Sequence, residues 1–288
     1  MLRTDLAVES AADLKDEKGV KREEETRSGM NICRMDVISE RAAKELGKPR
    51  GRYVTVSRRR LFENSQDFSE KARQISEELR AFLPERGTVL VAGLGNRDIT
   101  PDALGPLVAD GVLSTRHFKG EAASSYGLDS LRGVAVIAPG VLGQTGMETA
   151  ELLSALCERI RPEAVIAVDA LAARDLSRLT TTVQISGTGI CPGAGVQNRR
   201  TAVNREVLGV PVIALGVPTV VDAVTMAQSV FSLSESEIAR ADREAYTMMV
   251  TTRDIDTVIR RAASLLSLSV NLALQPELSE ADILFLNS

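Results

Sequence analysis

The feature that most constrains the fold is a set of short apolar runs, each closed by a turn residue or an acid. Three of them lie at residues 89–94, 134–138 and 164–168. Short apolar runs between turn signals are typical of strands buried on both faces of a sheet. Amphipathic helical patterns lie between them, at residues 102–113 and 147–159. Strands that alternate with helices predict an α/β fold with a mostly parallel sheet.

Weaker patterns extend this fold in both directions. Residues 53–56 and 210–215 predict further strands, and residues 181–185 alternate as an antiparallel or edge strand does. Helices are expected over residues 66–83 and 253–270, because each carries one apolar face. These elements predict a single domain, which we place at residues 51–274.

The two ends of the chain look different from this domain. Residues 1–12 are short and mixed, and we expect an N-terminal tail. Residues 13–27 are dense in both charges and poor in apolar groups, so we expect residues 13–50 to be a charged linker or surface segment. Residues 275–288 are expected to be a short C-terminal tail.

Composition excludes several classes of function. Apolar residues make up 44% of the 288, which suffices for a full core, but aromatic residues make up only 3% and the net charge is −4. Few aromatic rings and mild acidity argue against direct nucleic-acid binding. The three cysteines are odd in number and widely spaced, which predicts neither a zinc site nor a disulfide framework and favours a reducing cytoplasm. We expect no membrane span and no signal peptide.

Two aspartates follow the apolar runs at equivalent places. Asp102 lies where the strand at residues 89–94 gives way to a helix, and Asp169 directly follows the strand at residues 164–168. Ligands of open α/β sheets bind at the carboxyl ends of strands. We therefore expect the two carboxyls to meet at one sheet edge as a catalytic pair. The alternative is that each caps the following helix.

Four longer motifs follow one another along the chain, and a match to all four in order is specific to one protein family: GLGNRDITPDALGP, APGVLGQTGMETAE, VIAVDALAARDLSRLTTTVQISGTGICPGAGVQNRR and GVPVIALGVPTVVDAV. Together they resemble the germination protease family of spore endopeptidases, over residues 1–10 and 87–225. MMVTTRDID, near the C-terminal end, is a weaker match.

The resemblance implies an intracellular peptidase that is made as a zymogen and degrades small acid-soluble spore proteins during germination. It implies a location in the forespore or spore core, a homotetramer, and a three-layer α/β/α sandwich similar to hydrogenase maturation proteases. The family's proposed catalytic carboxylates, in its TPD and DALAAR motifs, fall on Asp102 and Asp169. The segment after Gly216 and the propeptide both look short for the family, which implies reduced tetramerisation or altered zymogen control.

A carboxylate pair suits peptide hydrolysis. Two carboxyls close together do not both ionise readily, so one is left to activate water while the other keeps a proton for the leaving amine. The expected enzyme is therefore an atypical aspartic endopeptidase that needs no cofactor. Ser and Cys nucleophiles fit less well because they normally need a His base, and the one histidine, His117, is expected to be a surface or half-packed residue.

Other residues near these motifs are candidates for substrate binding. Asn96 and the N–H groups beside it would bind the substrate backbone or an oxyanion, or Asn96 is a turn residue with left-handed dihedrals. Gly193 and Gly195 would let a peptide approach the backbone closely, or they form a surface turn. Asp98 is expected to stabilise the loop, and Asp222 to cap a helix.

The N-terminal residues 4–9, Thr-Asp-Leu-Ala-Val-Glu, resemble the Thr-Glu-(Phe/Ile)-Ala-Ser-Glu cleavage sequence of the spore proteins. This predicts that residues 1–12 form a propeptide-like segment cut between Asp5 and Leu6 by the enzyme itself. The alternative is a chance match in a tail.

Three competing functions stay open at this stage. One is a hydrogenase-maturation-type peptidase, which binds nickel through two carboxylates and a His, but no His lies at a corresponding place, so we expect no metal. Another is a peptidyl-tRNA hydrolase, which shares the GLGN start but needs a His and a basic groove. The third is a non-catalytic binding scaffold on the same fold.

Overall fold

The computed structural model describes residues 4–12, 14, 18–63, 65–118, 128–193, 200–231, 245 and 248–287. Within these ranges the strands are β1 (Val20–Arg27), β2 (Met30–Val37), β3 (Gly51–Ser57), β4 (Val89–Gly93), β5 (Val134–Ile137), β6 (Ala164–Ala173), β7 (Thr182–Ser186), β8 (Val212–Asp222) and β9 (Met249–Val250). The α-helices are α1 (Ala7–Ala11), α2 (Glu40–Leu46), α3 (Phe68–Arg80), α4 (Leu104–Asp110), α5 (Leu142–Thr145), α6 (Thr149–Ile160), α7 (Arg205–Leu208), α8 (Ala223–Phe231), α9 (Ile255–Leu274) and α10 (Glu280–Leu286). Short 3₁₀ helices lie at Thr100–Asp102, Leu128–Ser130 and Leu176–Arg178.

All nine described strands belong to one mixed sheet. Their order is β1-β2-β3-β7-β8-β6-β4-β5, and β9 pairs with β8. Only the β8–β6, β6–β4 and β4–β5 pairings are parallel, and the other five described pairings are antiparallel. The expectation of a mostly parallel sheet is therefore wrong. We call β4, β5 and β6 the parallel half and β1, β2, β3 and β7 the antiparallel half, with β8 between them.

The antiparallel half begins inside the segment that the sequence assigned to a linker. β1 and β2 form a hairpin that pairs with β3 from Val37↔Gly51 to Asn31↔Ser57. Along β2, Met30 and Ile32 are buried in the main core, whereas Val37 is buried against the helices on the other face. The linker assignment of residues 13–50 thus fails for the described residues 20–46. Its charges are accommodated because β1 is an exposed edge strand.

Helices pack on both faces of the parallel half, and β4 shows how. Val89 and Val91 face the main core under α3, α4 and α9, whereas Leu90 and Ala92 face α6 and α7. Successive strand side chains point to opposite faces, so a continuous apolar run is what a strand covered on both faces requires. The sequence pattern at residues 89–94 therefore identified this strand correctly.

Helix α9 is the central helix of the main core. It is long and apolar enough to cross a membrane by length and composition, contrary to the sequence expectation that no such stretch exists, but 67% of its most apolar window is buried inside the fold. It packs against α3 and α4, as a core helix does. The following α10 lies within the predicted C-terminal tail.

Strands β6 and β8 are longer than their sequences suggest. The pattern predicted that β6 ends at residue 168 and that a helix follows, because Ala and Leu are strong helix formers. Instead β6 continues to Ala173, and its outer part pairs with β8 up to Ala173↔Val221. Pairing with a neighbouring strand overrides local propensity here. The two strands project past the end of β4 and form one wall of the cavity described below.

Candidate active site

Asp102 lies at the end of the 3₁₀ helix Thr100–Asp102, just before α4. Its Oδ2 accepts a hydrogen bond of 2.7 Å from the Asn96 main-chain N–H. The side chain is half-buried, and this burial raises the pKa of the Asp102 carboxyl, against the opposing effect of the Asn96 hydrogen bond. The predicted strand-to-helix placement is confirmed, except that a single 3₁₀ turn precedes the α-helix.

Close backbone packing fixes this placement. The Leu94 N–H donates to the Val168 carbonyl at 2.7 Å, which ties the end of β4 to β6. A Cβ on Gly105, in the first turn of α4, would lie 2.2 Å from the Leu94 oxygen and 2.5 Å from the Val168 oxygen. Gly95 has a φ of +113°, and a Cβ there would lie 2.1 Å from the Asp102 carbonyl oxygen. Glycine is needed at both positions for α4 to approach the strand ends.

Asp169 lies inside β6, not before a helix. Gly93 pairs with Val168, so Asp169 is the first residue of β6 beyond the last β4 pairing. The residue is 5% exposed, and its Oδ1 accepts from the Ala170 N–H at 2.9 Å. Its own strand continues, so the expectation that it ends the strand is wrong. It nevertheless lies level with the edge where β4 stops.

The two carboxyls interact electrostatically. Burial raises the pKa of Asp169 well above its ordinary value, and the charges of Asp102 and then Asp5 raise it further. Burial is also the main cause of the raised pKa of Asp5. A carboxyl that stays protonated beside one that ionises more easily is the arrangement that acid–base catalysis by two carboxylates requires.

One cavity joins these groups. Its volume is about 480 Å³, and its lining includes Asp102, Asp169, Asn96, Gly193 and Asp5. The structure therefore brings together the predicted pair, both described substrate-binding candidates and the predicted cleavage position. Gly195 lies outside the described residues.

The Asn96 side chain stabilises its own turn. Its Oδ1 accepts from the Asp98 N–H at 3.0 Å and from Gln144 Nε2 at 2.8 Å. Gln144 Nε2 also donates to Asp98 Oδ2 at 3.2 Å. The positive φ in this turn falls on Gly95, so left-handed dihedrals are not the reason for Asn96. Its contribution to the cavity is the main-chain N–H that holds Asp102.

The N-terminal segment packs against β6, with Asp5 in the cavity lining, and is not a free tail. The Asp5 N–H donates to the Ala172 carbonyl at 3.0 Å, and the Ala172 N–H donates to Asp5 Oδ2 at 2.8 Å. Leu6 is 0% exposed and packs with Val8 in a small cluster formed by the outer parts of β6 and β8. Residues 5–8 thus lie along the outer part of β6.

Glu9 anchors the far end of this segment. It is 4% exposed, and its carboxylate accepts from the Arg174 N–H at 2.8 Å and from the Asp175 N–H at 2.9 Å. Thr4 Oγ1 also donates to it. Because hydrogen bonds to a carboxylate are stronger than neutral ones, this contact holds the segment in register along β6.

Two residues that the sequence did not single out contact the Asp5–Leu6 peptide. Lys48 Nζ donates to the Thr4 and Asp5 carbonyls, at 3.0 Å each. Gln184 Nε2 donates to the Asp5 carbonyl at 2.9 Å. Lys48 lies in the segment assigned to a linker or surface segment. Gln184 lies in β7, inside the third family motif, but nothing in that motif marked it as a site residue.

The remaining candidates lie outside this group. His117 is exposed, with its ring 4.4 Å from that of Phe118 and away from the cavity. Asp222 caps α8, since its Oδ1 accepts from the Thr225 N–H at 2.7 Å, as predicted. Among the described residues, no three His, Cys, Asp or Glu side chains are placed to hold a metal ion together.

Comparison with known proteins gives a consistent family. The model of the germination protease family matches residues 2–244. The germination protease of Caldanaerobacter subterraneus subsp. tengcongensis is 41% identical over 314 residues, covering 98% of this chain and 97% of that protein. The germination protease of Clostridium perfringens is 41% identical over 318 residues and 98% of each chain. That of Bacillus subtilis is 44% identical over 242 residues, 79% of this chain and 65% of that protein.

Among solved structures, the crystal structure of a [NiFe] hydrogenase maturation protease, HycI from Thermococcus kodakarensis KOD1, is similar with a TM-score of 0.37 and 14% identity. The similarity covers 66% of this chain and 96% of that one.

Proposed function

The chain belongs to the germination protease family of spore-germination peptidases, and we propose that it is an endopeptidase of the aspartic type that uses Asp102 and Asp169 as its catalytic pair. The observation that carries this proposal is that both carboxyls line one cavity with Asp5. This shared cavity supports a reaction between the candidate pair and the peptide bond that follows Asp5, both of which sequence motifs predict.

In the proposed pair one carboxyl acts as the general base and the other as the general acid. Asp169 is the more deeply buried carboxyl, and its pKa is raised the more strongly, so it is the member that keeps a proton. Ionised Asp102 takes a proton from the attacking water, and protonated Asp169 gives its proton to the leaving amine. The Asn96 N–H favours the ionised form of Asp102, which supports this assignment.

The first bond that the enzyme cuts is its own. We infer that the chain is made as a zymogen and cleaves itself between Asp5 and Leu6, removing the first part of the propeptide-like residues 1–12. The position of Asp5 in the cavity supports an intramolecular reaction. The segment is already held by β6 and by Glu9, so little further ordering is needed before the reaction.

Other features follow from the family resemblance. Small acid-soluble spore proteins are the substrates, because their cleavage sequence resembles residues 4–9. The enzyme acts in the cytoplasm of the forespore or in the spore core, as a homo-oligomer and without a cofactor. Helices on both faces of the parallel half support a three-layer unit of the hydrogenase-maturation type. Gly193 is proposed to let the substrate backbone approach the cavity wall.

The proposal is tested on the purified full-length chain at mildly acidic pH. Intact-mass spectrometry should show loss of the first five residues and a new N-terminus at Leu6. Asp102→Asn and Asp169→Asn should each slow this step at least about 1000-fold while circular dichroism stays unchanged, because each removes one half of the acid–base pair.

Asp98→Asn is the matched control, since Asp98 is an exposed carboxyl in the same loop as Asp102. This variant should be processed at the wild-type rate. A wild-type chain that keeps residue 1 under all conditions would reject the self-cleavage. Processing of Asp102→Asn at the wild-type rate would reject the catalytic pair.

A further inference from the structure

Gln184 contacts the peptide on both sides of the Asp5–Leu6 bond. Its Nε2 donates to the Asp5 carbonyl at 2.9 Å, and its Oε1 accepts from the Ala7 N–H at 2.6 Å. The side chain projects from β7, where it is 7% exposed and cannot move far. One amide therefore fixes the carbonyl of the Asp5–Leu6 bond and the Ala7 N–H, which lies one residue beyond that bond.

Lys48 supplies a second donor to the same carbonyl. Its Nζ lies 3.0 Å from the Asp5 oxygen and 3.0 Å from the Thr4 oxygen. The residue is half-buried just beyond α2, and burial lowers its pKa. Moving an ammonium out of water is unfavourable unless hydrogen bonds compensate for the lost hydration, and here two peptide carbonyls accept those hydrogen bonds. The Asp5 oxygen thus accepts from a cation and from an amide.

This is the donor arrangement that stabilises an oxyanion. When water adds to a peptide carbonyl, negative charge develops on its oxygen, and donors about 2.7–3.1 Å away stabilise that charge most where water is excluded. Both donors here fall within that range of the Asp5 oxygen. Neither donor is part of the carboxylate pair.

We propose that Lys48 and Gln184 are catalytic residues that form the oxyanion hole for the bond being cut. This inference rests on the proposed cleavage between Asp5 and Leu6. It extends the catalytic machinery from two carboxyls to four side chains, two from each half of the sheet. The same two donors act on the scissile carbonyl of a protein substrate once the Asp5 carbonyl has left its place beside them.

The step balances as an ordinary hydrolysis. The water oxygen bonds to the Asp5 carbonyl carbon, and Asp102 takes one water proton. The carbonyl π pair moves onto the oxygen, where Lys48 Nζ and Gln184 Nε2 donate to it. When the carbonyl re-forms, the carbon–nitrogen bond breaks and the Leu6 nitrogen takes the Asp169 proton. One water is consumed, and one carboxyl and one amine are produced.

The test uses Lys48→Met and Gln184→Met in the full-length chain, with Lys44→Met as the matched control. Lys44 is an exposed lysine one helical turn before Lys48, in the last turn of α2. The first-order rate of self-cleavage should fall at least about 100-fold for each of the first two variants and stay unchanged for the control. With two separate variants, failure of one to fold leaves the other to decide.

A second measurement separates catalysis from simple docking of the segment. Each variant is combined with Asp102→Asn to prevent cleavage, and hydrogen exchange is followed over residues 8–11, which leave out the Ala7 N–H that Gln184 itself binds. Protection should stay within about threefold of the Asp102→Asn chain, because Leu6 burial and the Glu9 contacts are intact. Loss of protection in proportion to the lost rate would mean that Lys48 and Gln184 only hold the segment, which overturns the inference.

The outcomes also separate this inference from the proposed function. If the wild type is processed, Asp102→Asn is not, and both methionine variants cleave within about threefold of the wild type, the carboxylate pair stands and the oxyanion hole falls. If the wild type is never processed after Asp5, the proposed self-cleavage is rejected, and the oxyanion hole is rejected with it.

Discussion

The parallel half of the sheet supplies the candidate acid and base, whereas the antiparallel half supplies the groups that hold the peptide carbonyl. Asp102 follows β4 and Asp169 lies in β6, while Lys48 precedes β3 and Gln184 lies in β7. Strand β8 is hydrogen-bonded to β6 on one side and to β7 on the other. Asp102 and Asp169 line one cavity with Asp5, whereas Lys48 and Gln184 line a second one with Asp5, so Asp5 lies between the side chains of the two halves.

The two halves are stabilised in different ways. In the parallel half every residue of β4 is buried, and backbone atoms pack directly on one another at Gly105. The antiparallel half ends in a charged hairpin, whose Asp36 pairs with Arg52 of β3 at 2.9 Å near the surface. Tight packing tolerates little change, whereas exposed charge pairs tolerate much more. The predictions below test this difference.

The largest expected effect is on the parallel half. Gly105→Ala places a methyl group 2.2 Å from the Leu94 oxygen and 2.4 Å from the Leu94 nitrogen, so α4 must move away from β4. Because both obstacles are backbone atoms, we expect unfolding to become easier by about 3 kcal/mol or more. Urea denaturation of the variant in the Asp102→Asn background measures this loss.

Gly143→Ala is the matched control, since Gly143 is helical in α5 and has no atom within 4 Å of an added Cβ. It should be neutral or slightly stabilising, by up to about 1 kcal/mol. Equal stability of the two alanine variants would contradict the claim that close backbone packing places Asp102.

The sequence predicted the strands of the parallel half more fully than the β1–β2 hairpin of the antiparallel half. The physical reason is the different way in which these strands are buried. A strand covered on both faces must be apolar throughout, so β4, β5 and the first half of β6 could be recognised in the sequence as apolar runs. Strand β2 alternates instead, with Arg34 and Asp36 between its buried residues, and its neighbour β1 is mostly charged. Such strands are stabilised by hydrogen bonding to neighbouring strands. The sequence of one segment does not show which strand it pairs with.

The site was predictable to the same extent. Asp102 and Asp169 were found because both follow apolar runs and both fall in family motifs. Lys48 was missed because it lies in the segment assigned to a linker. Gln184 was missed, although it falls within the third family motif, because only the pairing of β7 with β3 and β8 brings its side chain to the Asp5 carbonyl. The outer part of β6 was missed because its Ala and Leu residues favour helix locally.

The pH dependence of stability tests the burial of Asp169 in the parallel half of the sheet. Burial raises the folded-state pKa of Asp169 well above the ordinary value of 3.8. Its contribution to stability is therefore fully present below that value and is lost as pH rises through the raised pKa. Asp102→Asn should lose stability over this window relative to Asp102→Asn/Asp169→Asn, by about 1.4 kcal/mol for each unit between the two pKa values.

Urea denaturation of both chains between about pH 4 and about pH 8 measures the difference. The shared Asp5 and Lys48 titrations cancel to first order because both chains contain them. A stability difference that is flat across this range would show that Asp169 ionises as an ordinary surface acid, and one in which Asp102→Asn loses stability as the pH falls would show that the Asp169 pKa is lowered.

The smallest expected effect is on the antiparallel half. Asp36 and Arg52 are directly opposite on β2 and β3, with Asp36 Oδ1 accepting from Arg52 Nε at 2.9 Å, and both side chains are largely exposed. This hydrogen bond is the main reason that the pKa of Asp36 lies below its ordinary value. Since water screens an exposed pair, Asp36→Asn should lower the unfolding free energy by only about 0.5 kcal/mol and leave self-cleavage unchanged.

The contrast within β2 makes this small effect informative. Ile32 is 1% exposed in the main core, so Ile32→Ala should destabilise by about 2–4 kcal/mol, several times the effect of Asp36→Asn. Urea denaturation of the two variants in the Asp102→Asn background gives the ratio. A charge variant as damaging as the core variant would mean that ion pairs hold the antiparallel half together. The expected ratio instead means that buried side chains hold both halves, and that the hairpin charges chiefly keep its edge in water.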